Sequence, residues 1–578
     1  MKEKVKQIIP WKVLLKPSIL IYISVYLFLI FVVIYFGLPF LNLTSGSFYF
    51  TLMFILAFVI SIWLILKNKM NYDSCKDTKF KGYKLDNYSG KVYKTTISKE
   101  RKFATYKAIL KSLFFVFSIG LVFLLILKLT GIKMFNAKSY ANQISISSGT
   151  TENLSQTFDY EEGEVELPVI DKELAAKLAQ AKLDEYGAQY SIDIDNFTII
   201  SVERNGTTEL LRVTPLEYEN VFVSMSRMDQ GTIGYIEVNV VTQVAKLVKF
   251  DENDGLKYMP SGIFEYDLDR HIRKNYPRVL YNHKYFEIDN EGNPYWVIPT
   301  IKKEIGVFDG ATPSGVLIVN PITGKIDKYN LGEQPSWVQR CVDERVMENQ
   351  VNNALSLKNG FWNKLFAKKE VFQLSDGYNY LLKDNATYYI SCITSPNEND
   401  QTSIGFLILN LKTKEAIRYS SPGITEMRAR EIAMYDERVK AQELDATWPI
   451  LVSYHGVPTY FVVLKNDVQF QKAVFINVDT GALVGMGTDI STAKIAYDNL
   501  LSNESIVQKE NKEIKGTVTK LRDLGNVIEF MIDTVPNVYF SCDINLSLTA
   551  RFLTVGEKVT ITYNEYPTYY LVVDIKNE

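Results

Sequence analysis

The sequence predicts an α+β protein in three parts. These are three N-terminal transmembrane helices, an ectodomain of repeated units that each run helix then antiparallel meander, and a small C-terminal OB-like β-barrel. Three observations lead there. The first 132 residues hold three long apolar runs. An Asn-x-x-Thr pattern, each time behind an apolar run, recurs four times between residues 236 and 481. Residues 513–578 hold five short runs of strand-forming residues.

At 578 residues the chain is too long for one core, so several domains are expected. The net charge of −2 hides a division. Residues 1–144 carry 21 Lys/Arg against 5 Asp/Glu, a net +16, and the remainder carries 43 against 61, a net −18. An acidic main body argues against a nucleic-acid partner, because that affinity comes mostly from cations neutralising phosphates. The abundance of Lys, Asn, Ile and Tyr is that of an AT-rich coding genome.

Three spans are expected at about 18–41, 48–66 and 112–132, within a membrane domain of residues 1–137. The first two carry no charge; the third lies between Lys111 and Lys128, whose stems can snorkel. A cleaved signal peptide is not expected, since the first run is long and no small-residue cleavage site follows it. Lysines set the orientation. Five precede the first span, none lies in the loop 42–47, and twelve Lys/Arg lie in 67–108. The N-terminus and the 67–108 loop should therefore be cytoplasmic, and everything from about residue 133 extracytoplasmic. The loop contains a short possible hairpin around Tyr83–Tyr93.

Residues 138–170 are rich in Ser, Thr, Asn and Glu and read as a linker. Four units are expected after it, at 171–262, 263–335, 336–422 and 423–502. Each begins with a helix: after the N-cap Asp171, over Asp267–Tyr276, over Asp343–Leu357 and over Thr425–Met434. Strands follow, among them Phe197–Val202, Leu210–Thr214 and Val221–Met225 in the first unit. Each unit closes on a hairpin turn: Asn239 with Thr242, Asn320 with Thr323 and Gly324, Asn410 with Thr413, and Asn477 with Thr480 and Gly481. Asn can bond its own backbone two residues on, and Gly supplies positive φ cheaply. The Asn residues are 81, 90 and 67 apart, too irregular for a solenoid and suited to separate, diverged units. Four unrelated hairpins in one β-rich domain is the competing reading. A closing helix, Ser491–Leu501, leads to the barrel at 513–578. The barrel carries no stripe of Lys/Arg and aromatics, so an interaction or structural role suits it better than nucleic-acid binding.

The unit of helix, meander and final strand-Asn-x-x-Thr-Gly-strand resembles the PepSY domain. Val319-Asn320-Pro-Ile-Thr323-Gly324-Lys-Ile326 and Ile476-Asn477-Val-Asp-Thr480-Gly481-Ala-Leu483 match its closing hairpin; the other two copies have Gln243 and Lys414 where Gly is usual. The resemblance spans most of residues 171–500, with about ten residues per copy carrying it. It implies a bacterial envelope protein that acts through protein contacts, a peptidase among the possible partners. It transfers no active-site residue.

The chemistry-bearing residues are few. The histidines are His271, His283 and His455, with no His-x-x-x-His or Cys-x-x-Cys spacing, so no metal or other cofactor is expected. Asp251–Gly255 and Asp289–Asn293 look like calcium loops but place Gly too early and lack the closing Glu, so they read as turns. Asp193 and Asp195 alternate as on an exposed strand face. No nucleophile elbow or phosphate loop occurs. Three cysteines fall outside and one, Cys75, inside, so a complete disulfide framework is impossible and a Cys341–Cys392 bridge stays open. Three functions follow. The first is a membrane-anchored, non-catalytic extracytoplasmic module that binds or regulates a partner in the bacterial envelope, or associates with itself. The second is a structural subunit of a multi-protein envelope assembly. The third is an enzyme with an unfamiliar site, whose carboxylates converge from different units.

Overall fold

The computed structural model describes residues 17–77, 84–85, 92–93, 97–150, 154, 158, 160, 166–186, 189–251, 254–397, 402–466, 469–503, 511–523, 527–544, 546–565 and 569–577. The chain forms two compact units. One contains the described residues up to Asn136 together with Asp269–Leu280 and Lys302–Ala311; the other contains the rest.

Long helices dominate the first unit: Pro17–Gly37, Gly46–Asp77 and Ile97–Leu129. The expectation of three bilayer-length helices is met in full by one of them. Among the described residues, Gly46–Leu64 alone is long and apolar enough. Leu113–Leu129 qualifies only jointly with Lys133–Ala141 across a bend, and Ile23–Gly37 is shorter. The first helix stops at Gly37 rather than 41 because Pro39 cannot continue it; Leu38 turns left-handed with φ 38°. Aromatic rings join the helices, Tyr26 to Phe58 at 4.9 Å and Phe54 to Phe117 at 5.4 Å. The same unit binds the two later excursions at one end of the helices. The Leu41 N–H donates to the Pro277 carbonyl at 2.7 Å, Asn42 Nδ2 donates to the Arg278 carbonyl at 2.7 Å, and Lys128 Nζ pairs with Asp309 at 2.5 Å. The short hairpin expected in the 67–108 loop is present as Lys84–Leu85 paired with Val92–Tyr93.

One topology is used four times; copies one, three and four lie in the second unit, and copy two is divided, with Asp269–Leu280 and Lys302–Ala311 in the first. In each copy a helix is followed by a short first strand and a second strand, both paired to the same long third strand. A fourth strand pairs with the third, and a fifth pairs with the fourth across the Asn-x-x-Thr turn. The long third strands are Thr207–Tyr218, Pro294–Ile305, Ala386–Thr394 and Val457–Lys465. The helices are Lys172–Asp184, Leu268–Asn275, Glu344–Leu357 and Glu426–Ala433. Asp171, Asp343 and Thr425 cap three of them, each side chain accepting from N–H groups of the first turn. Even the turn between second and third strands recurs. Asn205-Gly206, Asp384-Asn385 and His455-Gly456 are two-residue turns with both φ positive, the type I′ geometry that suits strand twist. Copy two instead uses five residues, 289–293, in which the Asp289 carboxylate accepts from the N–H groups of Glu291 and Asn293. This is a turn bonded to itself, as expected for that stretch.

Two expectations fail. Val221–Arg227 is a helix, not a strand: Asn220 Oδ1 accepts from the Val223 N–H, so a cap overrides the apolar run's strand propensity. The described residues of 138–170 are not a free linker. Ile146–Gly149 adds to the third sheet as a parallel edge strand beside Ala416–Tyr419. Leu154 and Phe158 sit in the core of copies three and four, and the Tyr160 N–H donates to the Ser453 carbonyl at 3.0 Å. Among the described residues of this stretch, Leu154, Phe158, Leu167, Val169 and Ile170 are buried.

After the fourth copy, helix Ile490–Asn503 packs on that copy's last strands. The chain then closes a five-stranded barrel from Lys512–Asp523, Val527–Ile532, Val535–Asp543, Lys558–Glu565 and Tyr570–Asn577. The first strand joins the second and fourth, and the third runs parallel to the fifth. Closure removes the free edges that five short strands would otherwise expose.

Candidate functional site

The residues singled out in sequence prove to be turn residues. Asn239 Oδ1 accepts from the N–H groups of Val241 and Thr242, Asn320 from Ile322 and Thr323, and Asn410 from Lys412 and Thr413. The following residue is left-handed in every copy: Gln243, Gly324, Lys414 and Gly481, with φ of 62°, 73°, 73° and 67°. Asn477 differs because its turn is one residue longer. Its Oδ1 accepts from the Leu483 N–H at 3.0 Å, and its Nδ2 lies 3.2 Å from Thr480 Oγ1. These residues close hairpins; none lines the main cavity.

That cavity is a cleft of about 1030 Å³ within the second unit. It is built from equivalent parts of all four copies. The connection between the first and second strands lines it each time, through Asp195–Phe197, Asn282–Lys284, Tyr378, and Thr447 with Trp448. Around it, the second strands of copies one, three and four lie side by side, each paired with one strand; on their other edges Ser201 bonds Gln339, and Ser453 bonds Phe158 and Tyr160. Asp193 and Asp195 therefore occupy this connection rather than a strand face. Asp193 accepts from the Asn196 N–H at 3.1 Å, while Asp195 lines the cleft.

Arginines dominate the cleft chemically. Arg340 is only 4% exposed; its guanidinium stacks over Tyr380 at 4.3 Å and faces Tyr285 at 5.2 Å, and Nη1 reaches Glu344 at 3.3 Å. Glu344 also accepts from the Tyr380 hydroxyl at 2.5 Å. The segment carrying Arg340 is held from behind: fully buried Glu287 accepts from the N–H groups of Gln339 at 3.0 Å and Arg340 at 3.2 Å. Burial pushes the Glu287 carboxyl up to about 7. Gln339 in turn accepts from the Ser201 N–H at 2.9 Å and donates to the Ser201 carbonyl, tying copy one to this segment.

Arg212 of the first copy enters the same cleft. Nη1 donates to the Phe197 carbonyl at 3.3 Å, and it makes no ion pair among the described residues. Burial brings its guanidinium down to about 10 against the pull of Asp171, and Arg340 adds to the fall. Burial also lowers Lys172, with Arg212 contributing. The acids nearby have other partners: Asp171 and Glu173 pair with Lys465, and Asp445 with Arg430. The Nε atoms of Arg212 and Arg340 are buried without a partner.

Sequence reasoning missed Lys172, Arg212, Arg340 and Glu344. The available cue was an arginine inside an apolar strand pattern, Leu210-Leu-Arg-Val-Thr214 and Val338-Gln-Arg-Cys-Val342. No cluster of three or more metal-ligating side chains occurs among the described residues. Cys341, Cys392 and Cys542 are buried and free, so Cys341 and Cys392 do not pair; the Cys75 side chain lies outside the described residues. No family model and no curated protein matches the chain.

Proposed function

We propose that the chain is a membrane-anchored, non-catalytic binding module of the bacterial envelope, built from four PepSY-like units and an OB-like barrel. The observation that carries this reading is the convergence of one connection from all four units on a single cleft. Repeated units that present equivalent loops to one place make a binding surface, as pockets favour such junctions. Charged and aromatic groups dominate the described residues that line the cleft.

All three apolar helices serve as spans, with the N-terminus and residues 67–108 cytoplasmic and the second unit extracytoplasmic. The lysine distribution supports this orientation. The bonds of Leu41, Asn42 and Lys128 to residues 277, 278 and 309 are consistent with it, since they gather the uncharged loop and the end of the third helix around the same segments. The partner is an envelope protein, a peptidase among the candidates, or a second copy of the chain.

Cross-linking in native membranes followed by affinity purification tests the binding role. A stoichiometric envelope partner is the expected result; recovery of nothing but lipid would remove the reading. Protease added to spheroplasts should digest residues beyond 133 and spare 67–108, and the reverse pattern would invert the topology.

A further inference from the structure

Lys172, Arg212 and Arg340 gather at one wall of the cleft; Arg340 pairs with Glu344, while Asp171 acts on Arg212 and Asp195 on Lys172 without an ion pair among the described residues. Lys172 and Arg212 make no ion pair among the described residues, although both are partly withdrawn from water. Clustered like charges of this kind cost stability in the empty state, and chains keep them where an anion completes the set. Arg340 adds a second indication: it is 4% exposed, its Nε has no partner, and two tyrosines hold its plane. A planar, prepositioned guanidinium matches the geometry of an oxyanion.

We infer that this wall binds the terminal carboxylate of an extended peptide. The inference rests on the reading of the cleft as a binding site. Two features favour a peptide over a phosphate-rich ligand. First, acids rim the same cleft, among them Asp195, Glu173 and Asp445, and these oppose a polyanion. Second, the cleft offers aromatic surface beside the charged wall. Tyr378, 41% exposed, and Trp448 offer surfaces for the side chains that follow.

The test uses the full chain in nanodiscs and a mixture of hexapeptides supplied once as free acids and once as C-terminal amides, with inorganic phosphate as a third probe. Free acids should bind, and the matching amides should bind at least about tenfold more weakly, the loss expected for one charge-assisted hydrogen bond. Arg212→Met and, separately, Lys172→Met at the more open rim should each weaken free-acid binding by about tenfold or more. Neither should lower the thermal midpoint of the unliganded chain, because each relieves repulsion; that separates lost recognition from lost fold. Equal binding of acid and amide, unchanged binding by both variants, no peptide binding, or tighter binding of phosphate than of any peptide would each overturn the inference. Cross-linked partner capture distinguishes the two levels. If Arg212→Met captures the wild-type partner equally well, the binding module stands and the carboxylate site falls. If the wild type captures nothing, the module itself falls.

Discussion

Tyr569 donates its hydroxyl to Asp498, a carboxylate with no exposed surface in helix Ile490–Asn503. Asp498 also accepts from Tyr454 at 2.8 Å and lies 3.0 Å from His455 Nε2, in the type I′ turn of the fourth copy. One acid thus ties the turn of a repeat, the closing helix and the entry to the last barrel strand.

Tyr569→Phe should lower the unfolding free energy of the purified chain by about 0.5–1.5 kcal/mol, the net value of one hydrogen bond. Asp498→Ala should cost more, because it strands two buried hydroxyls and a ring nitrogen. Denaturant unfolding followed by tyrosine fluorescence measures both; a null effect for Tyr569→Phe would mean that the barrel is held by its apolar contacts alone.

Glu287 predicts a pH dependence. Its carboxyl has an ordinary value of 4.5, and burial raises it to about 7 in the folded chain. Between those values the folded state binds more protons at this group than the unfolded state, so the contribution of Glu287 to stability is greatest below about pH 4.5, falls as pH rises to about 7, and then levels. The fall is on the order of 3 kcal/mol. Glu287→Gln should flatten that slope, whatever it does to absolute stability. Denaturant titrations at pH 5 and pH 8 compare the slopes; an unchanged slope would place the titration elsewhere.

Burial also governs the thiols. It pushes Cys542 up to about 12 and raises Cys341 and Cys392 as well. Native protein treated with maleimide should remain unlabelled at these three positions. All three should label after denaturation, with no disulfide-linked peptide among them, as peptide mass spectrometry would read.

The repeat was legible because its turns are local: an Asn that bonds its own backbone and a following left-handed residue leave a mark within five consecutive positions. The helix starts at Asp171, Asp343 and Thr425 were legible for the same reason, since each cap lies within three residues of its partner. The cleft was not. Arg212 and Arg340 come from different copies, and Glu287 reaches Arg340 across 53 positions of sequence. Residues 146–149 misled for a related reason: a short polar run becomes a strand only because Ala416–Tyr419 offers it an edge. Val221–Arg227 misled through an opposite, local cause, a single capping Asn outweighing a β-branched run.

The turns make the sharpest stability test because the four copies solve one backbone problem with different residues. Gln243 and Lys414 adopt the left-handed conformation that Gly324 and Gly481 adopt without strain. Lys414→Gly should therefore be neutral or stabilising, by up to about 1 kcal/mol, since relief of strain is partly offset by the entropy of the unfolded glycine. The reverse change is not symmetrical. A Cβ on Gly324 would lie 2.5 Å from the Tyr258 ring, and one on Gly481 would lie 2.7 Å from Ile432 Cδ1. Gly324→Ala thus combines strain with a ring clash and should cost more than about 1 kcal/mol, whereas Gly481→Ala meets the end of a flexible side chain and should cost less. Removing the Asn side chain, as in Asn410→Ala, should cost about 1–2 kcal/mol through two N–H groups left without acceptors. Thermal midpoints of these four variants rank the terms directly. Equal losses for Gly324→Ala and Gly481→Ala would show that backbone strain alone selects glycine, and a loss on Lys414→Gly would show that the lysine side chain contributes more than its conformation costs.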